Sequence, residues 1–231
     1  VSPAVEARLA AHTGRARRLR IPNAVDPMRF LPGRDLALRA EASAGPQDLV
    51  LLCIATLEPA KGQLELVRAF EGLSKRYPTA QLWLVGPVRD DFVTTMEREL
   101  ARSSAAARIR VWGSREDVHR FYQAADIFAF PSYAEGMPLA LLEAMATGLP
   151  CIGSDALGVK FLLADGSGLV TPVADVDALS RALLQLAAEP QLRAELGQAA
   201  RKRVLNDYAV EDYVAAFDGV LRELAKEAGA E

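Results

Sequence analysis

FPSYAEGMPLALLEAMATGLPCIGSD, residues 130–155, is the stretch that decides the fold we predict for this chain. Residues 126–130 form a short apolar run, which is typical of a buried parallel strand. A loop follows, and Pro138 then opens a helix, since a proline in the first turn loses no hydrogen bond. Gly148 and Pro150 end the helix before the next strand. The pattern therefore predicts a strand, a loop, a helix and a strand in succession.

The loop and the helix start within this stretch predict an anion-binding site. Open α/β folds place ligands at the carboxyl ends of parallel strands, and the free N–H groups of a helix start favour a phosphate. Glu135 precedes the helix and Glu143 lies inside it, roughly 12 Å away if both residues are helical. Two acids that flank one scissile bond need about 5 to 9.5 Å, so this spacing instead fits the two ends of one long ligand.

The alternative is that Glu135 is an ordinary loop residue and Glu143 a solvated helix position. The apolar neighbours of Glu143 favour a cleft or a partner, because they leave little polar face on the helix; they are Leu139, Leu141, Leu142 and Met145.

The spacing Glu-Gly-x-x-Leu-x-x-x-Glu, followed by Ala-Met-Ala-x-Gly-x-Pro, resembles the signature of the family 4 retaining glycosyltransferases, which have the two-domain GT-B fold. The resemblance implies that Glu135 lies at the transferred sugar and that Glu143 binds the ribose hydroxyls of a nucleotide-sugar. The intervening backbone would line the diphosphate and the sugar; its residues are Gly136, Met137, Pro138 and Leu139. Many relatives carry a glycine where this chain has Pro138, so one N–H donor is lost there.

A second segment resembles the family's diphosphate site. The spacing Leu-x-x-x-Lys-Gly follows the first predicted strand, and its lysine is Lys61. The charge of Lys61 would offset a diphosphate. The alternative for Lys61 is a surface lysine. Thr56 stands where the family usually has an arginine, and it donates a hydrogen bond without a charge. Phe161 replaces a usual glutamate, so we expect one polar contact beside the sugar to be lost.

The turn at residues 113–118 follows the third predicted strand, and by resemblance it packs on the nucleobase. The base would be read mainly by main-chain groups at Gly113, with Arg115 as the side-chain candidate. Asp117 is alternatively a cap of the next helix. The Asp-Val-Asp at residues 175–177 imitates the metal motif of the other large glycosyltransferase fold. It opens a helix, where Asp is a favoured cap, so we predict no metal there.

Strands and helices alternate along the chain, which predicts right-handed βαβ units. Predicted strands cover residues 48–56, 81–86, 109–113, 126–130, 149–153 and 169–171. Predicted helices cover residues 63–77, 91–102, 115–124, 138–147, 158–163, 176–188, 190–205 and 210–228. The predicted fold class is α/β: a Rossmann-like open parallel β-sheet of about six strands with helices on both faces, the second half of a GT-B fold.

Composition limits the class of protein. The chain has 231 residues, 51% hydrophobic and 25% charged, enough for an α/β domain with a full core. A net charge of −3 argues against a nucleic-acid binder. No apolar run approaches the ~18 residues of a membrane span. Two cysteines, Cys53 and Cys151, suit a reducing cytoplasm as buried thiols, and with only two histidines they offer no zinc site.

Three regions are expected. Residues 1–24 form the tail of a missing N-terminal domain and a linker, residues 25–208 the nucleotide-sugar-binding domain, and residues 209–231 a C-terminal helix that packs toward that missing domain. The segment at residues 21–26 resembles the family's passage from the first domain to the second. The basic cluster at residues 15–20 favours a solvated linker face, with an anionic membrane surface as the alternative.

The resemblance thus implies transfer of a sugar from a nucleoside diphosphate-sugar to an acceptor hydroxyl, with retention and without a cofactor or a metal. The expected partners are that donor and the missing acceptor domain. The expected location is the cytoplasm, with peripheral contact with the inner membrane face or a lipid-linked acceptor as an open addition. One alternative function is a non-catalytic nucleotide-sugar-binding or interaction module, which Thr56 and Phe161 favour. Another is a different GT-B enzyme, such as a sugar-nucleotide epimerase.

Overall fold

The computed structural model of the chain describes residues 21–228. Its strands are β1 (Val50–Ile54), β2 (Gln81–Val85), β3 (Ile109–Val111), β4 (Ile127–Phe130), β5 (Cys151–Ser154) and β6 (Leu169–Thr171). Its α-helices are α1 (Leu36–Glu41), α2 (Gln63–Arg76), α3 (Val93–Arg102), α4 (Val118–Ala124), α5 (Leu139–Ala146), α6 (Leu157–Leu162), α7 (Val176–Ala188), α8 (Pro190–Asp207) and α9 (Val210–Ala228). Short 3₁₀ helices cover Pro59–Lys61, Asp90–Phe92 and Ala106–Arg108.

The strands form one parallel sheet in the order β3-β2-β1-β4-β5-β6. Along β1, Leu52 packs into the core on one face, whereas Leu51 and Cys53 pack into the core on the other. Helices cover both faces, so the central strands β1 and β4 are apolar along their whole length. The predicted fold class is confirmed. The chain builds outward from β1 to β3 and then returns to β4, so the strand order reverses between β1 and β4.

Several predicted boundaries are corrected. β3 ends at Val111 instead of residue 113, because Gly113 turns the backbone with φ of 67°. The following helix begins at Val118 instead of residue 115. Pro138 lies before α5 as its cap residue, with φ of −73° and ψ of 124°, so it is not in the first turn. Glu135 lies in the loop ahead of it, which removes the condition on which the 12 Å estimate rested.

Helix α1 was not predicted from the sequence, and a buried arginine fastens it to the sheet. Asp35 caps α1 by accepting a hydrogen bond from the Leu38 N–H at 2.7 Å. Arg39 is 1% exposed and donates to the Ala124 carbonyl at 2.6 Å and to Asp126 Oδ2 at 3.0 Å. It also donates to the carbonyls of Gly45 and Asp48. Six residues of helix carry too little apolar periodicity to be recognised in a sequence.

The segment before α1 contacts the junction between α8 and α9. The Val25 N–H donates to the Tyr208 carbonyl at 3.0 Å, and the Val210 N–H donates to the Val25 carbonyl at 3.2 Å. Helix α9 starts from this bridge and exposes an apolar stripe, each member of which is at least 39% exposed: Tyr213, Val214, Phe217, Leu221 and Leu224. The segment that enters the sheet domain and the start of α9, which leaves it, therefore lie side by side.

Cys53 and Cys151 are buried free thiols on β1 and β5, separated by β4. None of the helices within residues 21–228 combines the length and the hydropathy that crossing a bilayer requires. The basic cluster at residues 15–20 lies outside the described residues.

Candidate functional site

Lys61 lies in the loop between β1 and α2, at the carboxyl edge of the sheet. It ends the Pro59–Lys61 turn, and Gly62 follows with φ of 70°. A Cβ atom on Gly62 would stand 2.3 Å from the Pro131 carbonyl oxygen, so only glycine lets this loop approach the end of β4. The Lys-Gly pair of the sequence is therefore explained by a close contact between two loops.

That contact joins Lys61 to Glu135. The Lys61 Nζ lies 2.7 Å from Glu135 Oε1, and the two side chains are 23% and 13% exposed. Ser132 is fully buried and donates to the same Oε1 at 2.7 Å. The Tyr133 N–H donates to the Ala60 carbonyl at 2.8 Å, which holds the two loops side by side. The structure thus brings together the two residues predicted to be catalytic.

The segment from Gly136 to Leu139 leads from this pair into α5. The Asn23 side chain donates to the Met137 carbonyl at 2.8 Å, which ties the entry segment to the loop. The Met137 side chain belongs to the core, whereas Leu139 is 51% exposed. No side chain caps the start of α5, and Pro138 offers no N–H there. The N–H groups that follow Pro138 remain available for an anion.

Glu143 lies on α5, and its carboxylate is partly buried against Tyr122 of α4. The Tyr122 hydroxyl lies 2.7 Å from Glu143 Oε2. Burial raises the pKa of Glu143 above its usual 4.5, while the Tyr122 hydrogen bond and the charge of Arg29 oppose that rise. Within residues 21–228, the Glu143 carboxylate contacts a hydroxyl and forms no salt bridge, so no described residue removes it from ligand binding by an ion pair.

The predicted base turn is held by hydrogen bonds at both of its ends. Gly113 has open space on the side where a Cβ would stand, and its carbonyl accepts from the Gly86 N–H at 2.8 Å. Arg115 donates twice to the Asp117 carboxylate, both times at 2.9 Å, and this contact lowers the pKa of Asp117. Asp117 occupies the cap position of α4 but its side chain makes no capping bond. The Arg115 guanidinium is thus committed to Asp117.

Thr56 and Phe161, the two residues that depart from the family pattern, lie in different environments. Thr56 is exposed, and its carbonyl accepts from the Gln63 side chain at 2.9 Å. Phe161 packs on the core and lies under the Arg203 guanidinium at 5.6 Å. Phe161 therefore supplies packing where the family has a carboxylate.

A cavity of about 560 Å³ adjoins Glu135 on its β5 and β6 side; it is lined by Tyr133, Ala134, Glu135, Gly136, Asp155, Ala156, Leu157 and Val173. Asp155 Oδ1 accepts from the Val173 N–H at 2.8 Å, so two of the residues that line this cavity are joined by a hydrogen bond. A crevice of about 410 Å³ lies along α8 near Gly148, and none of the predicted site residues lines it.

Across residues 21–228, no cluster of three or more His, Cys, Asp or Glu side chains is arranged to hold a metal ion. Asp175 caps α7 by accepting from the Ala178 N–H at 2.8 Å, as the sequence predicted.

Sequence reasoning missed Ser132 and Tyr122, which contact the two acids, and Asn23, which holds the loop between them. Ser132 was visible only as loop composition, and Tyr122 only as an apolar position on a short helix. Their contacts span 3, 21 and 114 positions of the chain. The two longer separations leave no local signal.

The chain is similar to proteins of known class. A GDP-mannose-dependent monoacylated alpha-(1-6)-phosphatidylinositol monomannoside mannosyltransferase from Corynebacterium glutamicum is 32% identical over 203 residues, covering 83% of this chain and 52% of that protein. The chain thus spans about half the length of the curated relatives it matches.

Solved structures have the same fold. Sucrose-phosphate synthase from Thermosynechococcus elongatus superposes with a TM-score of 0.87 at 27% identity, over 98% of this chain and 57% of that one. Anabaena Alr3699/HepE in complex with UDP-glucose superposes with a TM-score of 0.85 at 22% identity, over 97% of this chain and 62% of that one.

The model of one family matches residues 37–203, which include both acids, the lysine and the whole parallel sheet. The chain therefore belongs to the glycosyl transferases group 1 family.

Proposed function

We propose that this chain is the donor-binding half of a glycosyltransferase that moves a sugar, with retention, from a nucleoside diphosphate-sugar to an acceptor hydroxyl. One observation carries the proposal: Lys61, Glu135 and the uncapped start of α5 converge where the strand order reverses between β1 and β4. Open α/β sheets bind their ligands at such a point. A lysine and free helix N–H groups in that place suit a diphosphate.

The donor would lie across the carboxyl edge of the sheet. The diphosphate would sit between Lys61 and the backbone that follows Pro138. Glu143 would accept hydrogen bonds from the ribose hydroxyls, and the open face at Gly113 would contact the base. Glu135 would hold the transferred sugar beside the cavity of about 560 Å³.

In the proposed reaction the departing diphosphate acts as the base, so no protein side chain has to take the acceptor's proton. The acceptor oxygen bonds to the anomeric carbon while the bond from that carbon to the diphosphate breaks, and the diphosphate keeps the electron pair. One diphosphate oxygen takes the acceptor's proton. Lys61 and the helix N–H groups stabilise the developing charge. Because protein groups supply this stabilisation, we propose that no metal or cofactor takes part, and that transfer persists in the presence of EDTA.

The relatives support the donor and acceptor classes. One solved neighbour is a complex with UDP-glucose, and the C. glutamicum relative is named for GDP-mannose and a phosphatidylinositol mannoside. We therefore propose a role in polysaccharide or glycolipid synthesis. The proposed location is the cytoplasmic face of the membrane, with peripheral contact to a lipid-linked acceptor.

We propose that acceptor binding belongs to a further, N-terminal domain outside this chain. The chain spans 52% of the C. glutamicum relative. Val25 forms a bridge with Ala209 at the start of α9, and α9 exposes its apolar stripe from there. We propose that this stripe packs toward that domain.

Calorimetry on this chain tests the donor site. Nucleotide-sugars such as UDP-glucose and GDP-mannose should bind more tightly than the bare diphosphates. Loss of the charged acceptor in Glu143→Gln should weaken binding by about tenfold. Glu195→Gln, on the exposed side of α8, is the matched control and should bind as the native chain does. Absence of binding to every one of these ligands would overturn the proposal in favour of a non-catalytic interaction module.

The division of labour has its own test. This chain alone should bind the donor but transfer little sugar, because the proposed acceptor-binding domain lies outside it. Measurable transfer by the isolated chain to an added acceptor would refute that division.

A further inference from the structure

One hydroxyl group stands behind Glu143. Tyr122 is fully buried, and its Oη lies 2.7 Å from Glu143 Oε2 and 3.0 Å from the Ala140 carbonyl oxygen. Within the described residues, Glu143 Oε1 has no hydrogen-bond partner, and it is not one of the buried unpartnered atoms. One carboxylate oxygen is therefore held from inside the protein, and the other is open to a ligand.

We infer that Tyr122 is a positioning residue for the nucleotide: its hydroxyl holds Glu143 Oε2, so that Oε1 is presented to the ribose hydroxyls. The ribose part of this inference rests on the proposed function.

The chemistry favours the carboxylate as the acceptor of the Tyr122 hydrogen. A phenol has a single hydrogen, and a hydrogen bond to a charged acceptor is roughly twice as strong as one to a neutral carbonyl. Holding one oxygen also removes the rotational freedom that a glutamate side chain would otherwise lose when a ligand binds. A hydroxyl supplies this hold without neutralising the carboxylate, whereas a lysine or an arginine would compete with the ligand.

Of Glu143, Tyr122 and the two cysteines that face Tyr122, Glu143 is the group whose protonation is expected to change. Arg29, from the segment before α1, lowers the pKa of Glu143, while burial raises it. Burial, and then the charge of Glu143, raise the pKa of Tyr122 well above its usual range, so the phenol stays protonated. Cys151 on β5 and Cys53 on β1 also face Tyr122. Burial raises the pKa of Cys53 to about 12 and that of Cys151 further, so both stay neutral thiols.

The first measurement needs no ligand. The carboxyl ¹³C signal of Glu143 is titrated in the native chain and in Tyr122→Phe, which keeps the ring and removes the hydroxyl. Loss of one hydrogen bond to the charged form should raise the pKa of Glu143 by about 1. Tyr208→Phe, which removes the hydroxyl of another buried tyrosine, should leave that pKa unchanged.

The second measurement is binding of UDP-glucose and GDP-mannose from pH 4.5, the ordinary pKa of a glutamate, up to pH 8.5. Neither ligand carries a terminal phosphate of the kind that titrates near pH 6, so a pH dependence reports on the protein. Binding to the native chain should weaken as the pH falls through the pKa of Glu143. The midpoint should move upward in Tyr122→Phe, and the pH dependence should disappear in Glu143→Gln. A general loss of stability would weaken binding at every pH without moving the midpoint.

The outcomes separate the two proposals. A native chain that binds neither nucleotide-sugar overturns the proposed function. An unmoved pKa of Glu143 in Tyr122→Phe, or an unmoved binding midpoint when that pKa has risen, overturns the positioning role. If Tyr122→Phe does not fold, the same titration is done on the native sequence produced with 3-fluorotyrosine in place of tyrosine. Its more acidic phenol is a stronger donor, and the pKa of Glu143 should fall; an unchanged pKa would overturn the inference equally.

Discussion

Lys61 and Glu135 are 74 positions apart in the chain, and their side chains form an ion pair with 2.7 Å between Nζ and Oε1. One residue follows β1 and the other follows β4, which are adjacent strands. The pair neutralises the lysine that would otherwise attract a diphosphate. Glu135 and a bound diphosphate therefore compete for the same ammonium group.

This competition predicts that Glu135→Gln binds bare UDP more tightly than the native chain does. Freeing a partly exposed lysine from its carboxylate should gain about 1 kcal/mol, or roughly fivefold in affinity. The same variant should lose its preference for UDP-glucose over UDP, because the amide no longer accepts strongly from sugar hydroxyls. Calorimetry at low and at high salt measures both effects, with Glu195→Gln as the control. Weaker binding of UDP would show instead that Glu135 helps to hold the nucleotide.

The raised pKa of Glu143 predicts a stability effect with a definite sign. Its pKa is higher in the folded chain than the usual 4.5, so its favourable contribution to folding is complete below about pH 4.5 and is lost as the pH rises through the folded value. Glu143→Gln carries no charge at any pH and should be more stable than the native chain at pH 8, by about 1 kcal/mol or 2 to 4 °C in Tm.

Thermal melts of both chains at pH 4.5 and pH 8 measure this difference, which should shrink at the lower pH. A lower Tm for Glu143→Gln at pH 8 would contradict the assignment of the raised pKa to burial of the charge. The combination of higher stability with weaker nucleotide binding is expected of a residue kept for function.

Arg39 predicts a large loss of stability far from the site. Arg39→Met leaves the carbonyls of Asp48 and Ala124 without the donor they have in the native chain and removes a buried partner of Asp126. The Gly45 carbonyl keeps the Asp48 N–H as a donor at 3.2 Å. Removal of one partner from such a buried network should cost about 3 to 5 kcal/mol.

Arg34 provides the control for this prediction, because it contacts the same Asp126 from a side chain that is 44% exposed. Arg34→Met should cost about 1 kcal/mol or less. Urea denaturation of both variants measures the difference. Similar losses for the two would mean that burial does not decide the contribution of Arg39.

Two glycines have the same backbone conformation, but we expect an alanine substitution to lower the free energy of unfolding by different amounts at the two positions. Gly62 and Gly113 have φ of 70° and 67°, so an alanine at either position pays about 1 to 2 kcal/mol for the left-handed conformation. A Cβ at Gly62 would also stand 2.3 Å from the Pro131 carbonyl oxygen, whereas nothing lies within 4 Å of one at Gly113.

Gly62→Ala should therefore lose clearly more free energy of unfolding than Gly113→Ala, since it forces apart the loops that carry Lys61 and Glu135. Denaturant titration of each variant gives the two values. Equal losses would show that the loop between β1 and α2 moves without cost.

The positions of the candidate residues were predictable where the pattern is local. Lys61 and Glu135 lie in loops that follow strands, and Glu143 lies within a short helix. Such positions follow from apolar runs, glycine and proline. Arg39 resembled any surface arginine, because its burial depends on Ala124 and Asp126, which lie 85 and 87 positions away. The start of α5 was placed one residue early, since a proline is equally at home as a cap and in the first turn.

By itself the sequence determined the alternation of strands and helices, the parallel sheet and the identity of the acids and the lysine. Those features follow from the hydrophobic period and from residues that act on their own neighbours. Only the tertiary structure decided that β1 lies beside β4, that Lys61 consequently pairs with Glu135, and that Tyr122 stands behind Glu143. The physical reason is that such contacts depend on the order of the strands in the sheet and on how the helices pack against it, and residues distant in the chain leave no local trace of either.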